Sequence, residues 1–155
     1  MPNLTQWGVD GAMMYGTFED CTNLQTINHP KLTDAILGDR TFSNCKSLQS
    51  IELKCSNSLV FYNSIFKGCT SLTEVKAPLT IISSSCFSNC SSLMKLILPQ
   101  TDKVAILESS TAFKDTFLDK DGVTNGIYVP SALLNEYRNA TNWVTLANKI
   151  HALND

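Results

Sequence analysis

The sequence predicts a solenoid of short parallel coils, and three observations predict it. The first is a unit of the form F-x-x-C-x-x-L-x-x-I-x-L-P repeated four times in succession: TFEDCTNLQTINHP from Thr17, TFSNCKSLQSIELK from Thr41, IFKGCTSLTEVKAP from Ile65 and CFSNCSSLMKLILP from Cys86. Successive starts at 17, 41, 65 and 86 lie 24, 24 and 21 residues apart. The second is that the same columns recur: Phe18/Phe42/Phe66/Phe87, Cys21/Cys45/Cys69/Cys90, Leu24/Leu48/Leu72/Leu93 and Ile27/Ile51/Val75/Leu96. A fixed short period with recurring apolar columns means that each unit is one coil, burying its face only against its neighbours. The third is a change of pattern after Pro130 to helical spacing, which supplies the lid that an open solenoid end needs. The 155 residues are expected to form one domain, with residues 1–16 as N-terminal cap, 17–130 as repeats and 131–155 as a helical C-terminal cap.

Within a unit, the residues between Phe and Leu are small or polar around the Cys, as a tight helical or 3₁₀ turn requires. The stretch from Leu to Pro alternates as a strand does. It sends Ile27, Ile51, Val75 and Leu96 inward together with His29, Leu53, Ala77 and Leu98. Pro30, Pro78 and Pro99 then end the strand, with Lys54 the exception. The spacers return Leu37, Phe61, Ile82 and Leu107 to the interior, so each coil has two buried sides. A fifth coil starts at Ala112-Phe113 and has Thr116 in the Cys column. Its inward residue, Ile127, lies 14 residues after Phe113, against 9 from Phe18 to Ile27, an insertion of 5. Ser131 and Asn142 are expected to cap two helices, one through Leu133, Leu134 and Tyr137, the other through Trp143, Leu146, Ala147 and Ile150.

Charge and cysteine usage narrow the function classes. With 12 Lys+Arg against 14 Asp+Glu and net charge −2, the chain has no electrostatic footprint for nucleic acid or an anionic membrane. No stretch approaches the roughly 18 apolar residues of a membrane helix, and MPNLTQWGVD is not a signal peptide. Four of the six cysteines share one column. A ladder with rungs about 4.8 Å apart spans about 14 Å over four positions, whereas zinc needs four sulfurs each about 2.3 Å from the metal. Parallel in-register side chains also keep Cβ atoms about 4.8 Å apart, beyond the ~3.8 Å of a disulfide. Free, buried thiols are therefore expected at these positions and at Cys86, with Cys55 the exposed one. No metal or cofactor is expected.

The repeat unit is similar to the BspA-type leucine-rich repeat, and IYVPSALLNEYRNATNWVTLANKI resembles the terminal cap common on such proteins in gut bacteria and their phages. The resemblance covers about residues 12–153. It implies a right-handed leucine-rich-repeat solenoid with a parallel sheet of about five strands on its concave side, closed by C-terminal helices. It also implies a surface-exposed binding or adhesion protein, at the cell surface or extracellular, of bacterial or phage origin.

No enzyme is expected, because neither His29 nor His151 has a nucleophile beside it in the pattern. Asp119-Lys120-Asp121-Gly122 with Asn125 opens like a calcium loop but lacks the third carboxylate and terminal Glu, so it reads as a turn. Glu19-Asp20 reads as a solvated turn pair, and the Asn89 and Asn139 sequons as chance matches. Ligand contact is expected on the outward strand columns, which the repeat leaves free of packing: Thr26, Asn28, Ser50, Glu52, Glu74, Lys76, Lys95, Ile97, Gly126 and Tyr128. The half with Lys76, Lys95, an exposed Ile97 and Tyr128 has the mixed apolar, aromatic and cationic character that carries binding energy. The expected partner is a protein or surface glycan bound by a monomer. The alternative is a structural appendage of a phage virion or surface assembly.

Overall fold

The first four coils turn at two residues in the left-handed backbone region, two before and two after the Phe, and the fifth coil keeps only the second of them. Gly16, Arg40, Ser64 and Ser85 fill the first position and Asp20, Asn44, Gly68, Asn89 and Asp115 the second, all with φ between 55° and 75°. Asn, Asp and Gly tolerate this region best. At Gly68 a Cβ would also lie 2.4 Å from Asn44 Oδ1, so the Asn44 side chain would have to move to admit one. Between the two positions the chain closes a tight turn, with Cys21, Cys45, Cys69 and Cys90 N–H donating to Phe18, Phe42, Phe66 and Phe87 O at 3.0–3.1 Å. The turn predicted around the Cys column is thus present.

The computed structural model describes residues 13–27, 36–54, 59–100, 102–119 and 126–153. In chain order its elements are β1 (Met13–Met14), β2 (Ile36–Leu37), β3 (Ser50–Glu52), β4 (Leu59–Phe61), β5 (Glu74–Lys76), β6 (Leu79–Ile82), β7 (Lys95–Ile97), β8 (Ile106–Leu107), β9 (Ile127–Val129), α1 (Leu134–Asn139) and β10 (Ile150–Ala152), with 3₁₀ turns at Ser110–Phe113, Phe117–Asp119, Ser131–Leu133 and Trp143–Lys149. Expectations for residues 1–12 and for Asn28, His29, Pro30, Cys55, Lys120, Asp121, Gly122 and Asn125 fall outside the described residues.

Two parallel sheets form the sides of the stack. The front sheet runs β3-β5-β7-β9-β10, and a three-stranded back sheet runs β4-β6-β8, with β1 and β2 paired separately. Five front strands are present, but they are not the five predicted. The first repeat contributes no regular strand among its described residues, joining the sheet through Gln49 N–H to Gln25 O at 3.2 Å. The fifth strand is β10, from the segment expected to be helical. The fifth coil does rejoin the sheet after its insertion, with Leu96 opposite Ile127. The back sheet arises where the spacers were expected to turn inward: Leu37, Phe61, Ile82 and Leu107 are all buried.

Between the sheets the Phe column forms a stack, with Phe18, Phe42, Phe66, Phe87 and Phe113 ring centroids 5.4–5.6 Å apart and interplanar angles of 2–13°. Trp143 continues it at 6.3 Å from Phe113. Leu48, Leu72, Leu93, Ile51, Val75, Leu96, Ile127 and Ile150 fill the front layer.

The C-terminal segment closes the stack by standing in for the next coil. The outer edge of β8 would leave backbone groups without partners, a costly state when buried. Tyr137 Oη accepts from Ala105 N–H at 3.0 Å, Trp143 Nε1 donates to Ala105 O at 2.7 Å, and Asn142 Nδ2 donates to Leu107 O at 2.8 Å. On the front sheet, Arg138 donates twice to Ile150 O, at 3.2 and 2.7 Å. Neither expected N-cap operates. Pro130 occupies the cap before Ser131, and Asn142, with φ 63°, spends its side chain on β8.

Candidate functional site

The outer face of the front sheet carries two columns, because alternate residues of a strand point to opposite faces. Registers place Ser50, Glu74 and Lys95 in one column. Glu52, Lys76, Ile97, Tyr128 and His151 lie in the other. Within each column, a carboxylate on one coil meets an ammonium on the next: Lys76 Nζ lies 3.0 Å from Glu52 Oε1 and Lys95 Nζ 3.3 Å from Glu74 Oε2. The hydrogen bond from Lys76 holds the Glu52 carboxyl below its ordinary pKa.

Toward the C-terminal end the face becomes aromatic. Lys95 Nζ sits 5.6 Å from the Tyr128 ring centroid, and the Tyr128 and His151 rings lie 5.5 Å apart at 38°. His151 belongs to the segment expected to be a helical cap; it is instead on β10 beside Tyr128, its Nε2 buried with no hydrogen-bond partner among the described residues. Gly126 makes this possible, since a Cβ there would fall 2.1 Å from Lys149 O and 2.7 Å from His151 Cδ2. Lys149 is itself buried and donates through Nζ to Leu118 O.

The structure gathers Glu52, Glu74, Lys76, Lys95 and Tyr128 on one face, as expected. Ile97 is corrected: it is 7% exposed, because the longer Lys76 and Tyr128 flank it in register on either side. Thr26 and Ser50 are exposed at the N-terminal end, and Asn28 falls outside the described residues. Sequence reasoning missed His151 because three strand residues follow a helix-like run; the one available signal was Gly126, which leaves a gap in its column for a neighbour to fill.

The cysteine column is chemically quiet. Cys45, Cys69, Cys86 and Cys90 are buried and Cys21 partly so, all as free thiols. Cys45, Cys69 and Cys90 Sγ donate to Phe18, Phe42 and Phe66 O at 3.1, 3.0 and 2.9 Å, so each thiol ties its coil to the one before. Burial pushes the Cys45 thiol up to about 12 and raises Cys86 as well, while a hydrogen bond with Cys90, together with burial, raises Cys69. Among the described residues no cluster of three His, Cys, Asp or Glu could hold a metal ion, and no helix is long and apolar enough to cross a membrane.

The profile of the BspA type leucine rich repeat region matches residues 13–119, in six copies. No curated protein sequence matches the chain. With more than half of its length matched, and its Phe, Cys, Leu and Ile columns stacked coil on coil, the chain belongs to the BspA-type leucine-rich repeat family.

Proposed function

We propose that this chain is a non-enzymatic binding module of the cell surface or extracellular space, and that its partner, a protein or surface glycan, docks on the outer face of the front sheet. The observation that carries the reading is the Glu52–Lys76 and Glu74–Lys95 pairing with Tyr128 and His151 beside it. These groups sit on short strands fixed by the core, and their mutual contacts hold them in place before any ligand arrives. A partner therefore meets a preorganised surface and loses less entropy on binding. Tyr128 adds the aromatic character that carries a large share of interface energy. The surface placement rests on the family.

The test is to immobilise the chain, screen a glycan array and a displayed peptide library, and then measure retained ligands against a Tyr128→Ala, Lys95→Ala double variant. The proposal predicts at least a tenfold loss of affinity with an unchanged melting temperature. Unchanged affinity in a folded double variant would move the site off this face.

A further inference from the structure

The charges of the front face lie unequally about its midline. Glu74 and Lys76 stand on one strand, β5, on either side of the inward Val75, so there the first column carries a carboxylate and the second an ammonium. Glu52 follows in the second column one coil earlier and Lys95 in the first column one coil later. All four side chains are 40–45% exposed. Their ion pairs leave capacity unused. Lys76 has two N–H donors beyond the one directed to Glu52, and Glu74 meets Lys95 through Oε2, leaving Oε1 without an ion pair among the described residues. Both sides of the coils are parallel sheets, with the same step of about 4.8 Å. The two sides therefore advance equally from coil to coil, and the front face is open to a flat partner.

With their strands in line, two copies can meet face to face about a two-fold axis in two ways. An axis along β5 sets Glu74 on Glu74 and Lys76 on Lys76, and opposed like charges disfavour it. An axis along the stack keeps coil opposite coil and lays the first column of one copy over the second column of the other. Glu74 then faces Lys76 of the second copy and Lys76 faces its Glu74, while Glu52 faces Ser50, Lys95 faces the apolar Ile97, and Tyr128 faces Gly126, which brings no side chain. Each new pair joins the existing ones into a run of alternating sign: Glu52 and Lys76 of one copy, then Glu74 and Lys95 of the other. We propose that the front face pairs in this orientation with a second copy of the chain, as a symmetric dimer. Five strands at about 4.8 Å a step make a face about 20 Å long, small beside the roughly 800 Å² per partner of a stable interface. The dimer is accordingly weak and concentration-dependent. It goes beyond the binding-module reading and does not need it, although a ligand on this face has to displace the second copy.

Sedimentation velocity of the intact chain over a range of concentrations measures the dimer, and charge reversal tests its pairing. The native chain is expected to dimerise at high concentration in low salt, and less as salt is raised. Glu74→Lys opposes lysine to lysine and Lys76→Glu opposes glutamate to glutamate, so each alone should weaken self-association at least tenfold while keeping its melting temperature. Mixed together, the two variants oppose lysine to glutamate at both positions, and the mixture should recover the native dimer. Glu52→Lys mixed with Lys95→Glu has the same net charges at sites that do not face each other, and should gain nothing on mixing. A chain that is monomeric at every concentration overturns the proposal. So does a native dimer untouched by salt or by either reversal, and so does a Glu74→Lys and Lys76→Glu mixture that gains no more than the control pair. Each of these results leaves the sheet-face reading standing, because that reading is decided by the Tyr128→Ala, Lys95→Ala variant against arrayed ligands.

Discussion

The cysteine column shows how much one side chain reveals and how much it conceals. Its spacing alone argued for buried, unpaired thiols, and Cys45, Cys69, Cys86 and Cys90 are buried and free. The donation of Cys45, Cys69 and Cys90 to the phenylalanine carbonyl of the preceding coil was not legible, because it depends on the turn that aims both groups. Native protein is expected to react slowly or not at all with a thiol reagent at these positions and fully after denaturation. Fast native labelling at Cys69 or Cys90 would contradict the stacking. The same burial sets a pH dependence. A thiol raised above its unfolded value contributes stability that is fully present below the unfolded pKa of about 9 and is lost as pH rises toward the folded one. Cys45, pushed up to about 12, and Tyr137, also raised to about 12 by burial, both act in this direction. The melting temperature should therefore be flat to about pH 8.5 and fall between about pH 9 and 12, Cys45 acting from about pH 9 and Tyr137 from about pH 10, each buried group contributing up to about 1.4 kcal/mol per pH unit. A flat alkaline profile would count against a buried column. Ile97 marks the limit of such reasoning, since its neighbours, not its own alternation, decide its exposure.

The elements divide in the same way. Strands at Ile51, Val75, Leu96 and Ile127 were legible because period-two alternation coincided with the repeat, and the displaced fifth strand because Ile-Tyr-Val-Pro restates the pattern. The back sheet was half legible: its inward residues stood out in the spacers, but its pairing did not. The strand β10 was hidden by a preceding run with helical spacing, and its place depends on Gly126. Gly126→Ala should force β10 outward and cost about 1–3 kcal/mol, as overpacking does. Calorimetry checks this, and an unchanged transition would mean that β10 does not pack as closely as described. Trp143 serves both as the last ring of the aromatic stack and as the donor to Ala105 O. Trp143→Phe keeps most of the ring and removes the donor, leaving a buried carbonyl unsatisfied at about 1–3 kcal/mol. Trp143→Ala should cost more, about 3–5 kcal/mol. Unchanged stability of Trp143→Phe in urea unfolding would show that the hydrogen bond contributes nothing.

The whole molecule is a stack in which each coil completes the one before it, so its ends decide whether it stands. The repeat made the stack legible from the columns alone. The ligand face was legible only as a set of outward positions, because a repeat fixes what is buried and leaves the outward chemistry free to vary. The C-terminal closure was legible as a lid but not in its means. Tyr137, Arg138, Asn142 and Trp143 take up the edge groups of both sheets, where caps on two helices were expected. Removing residues 131–155 would expose the Ile127 and Phe113 layer and leave both edges unpaired. Each large side chain lost from burial is worth roughly 1.5–3 kcal/mol against a domain stability of about 5–15 kcal/mol. Thermal unfolding of a chain ended at Pro130, followed by circular dichroism and light scattering beside the full chain, tests the stack and its closure together. An unfolded or aggregated product is the predicted result, and a monomeric product with the full chain's melting temperature would contradict it.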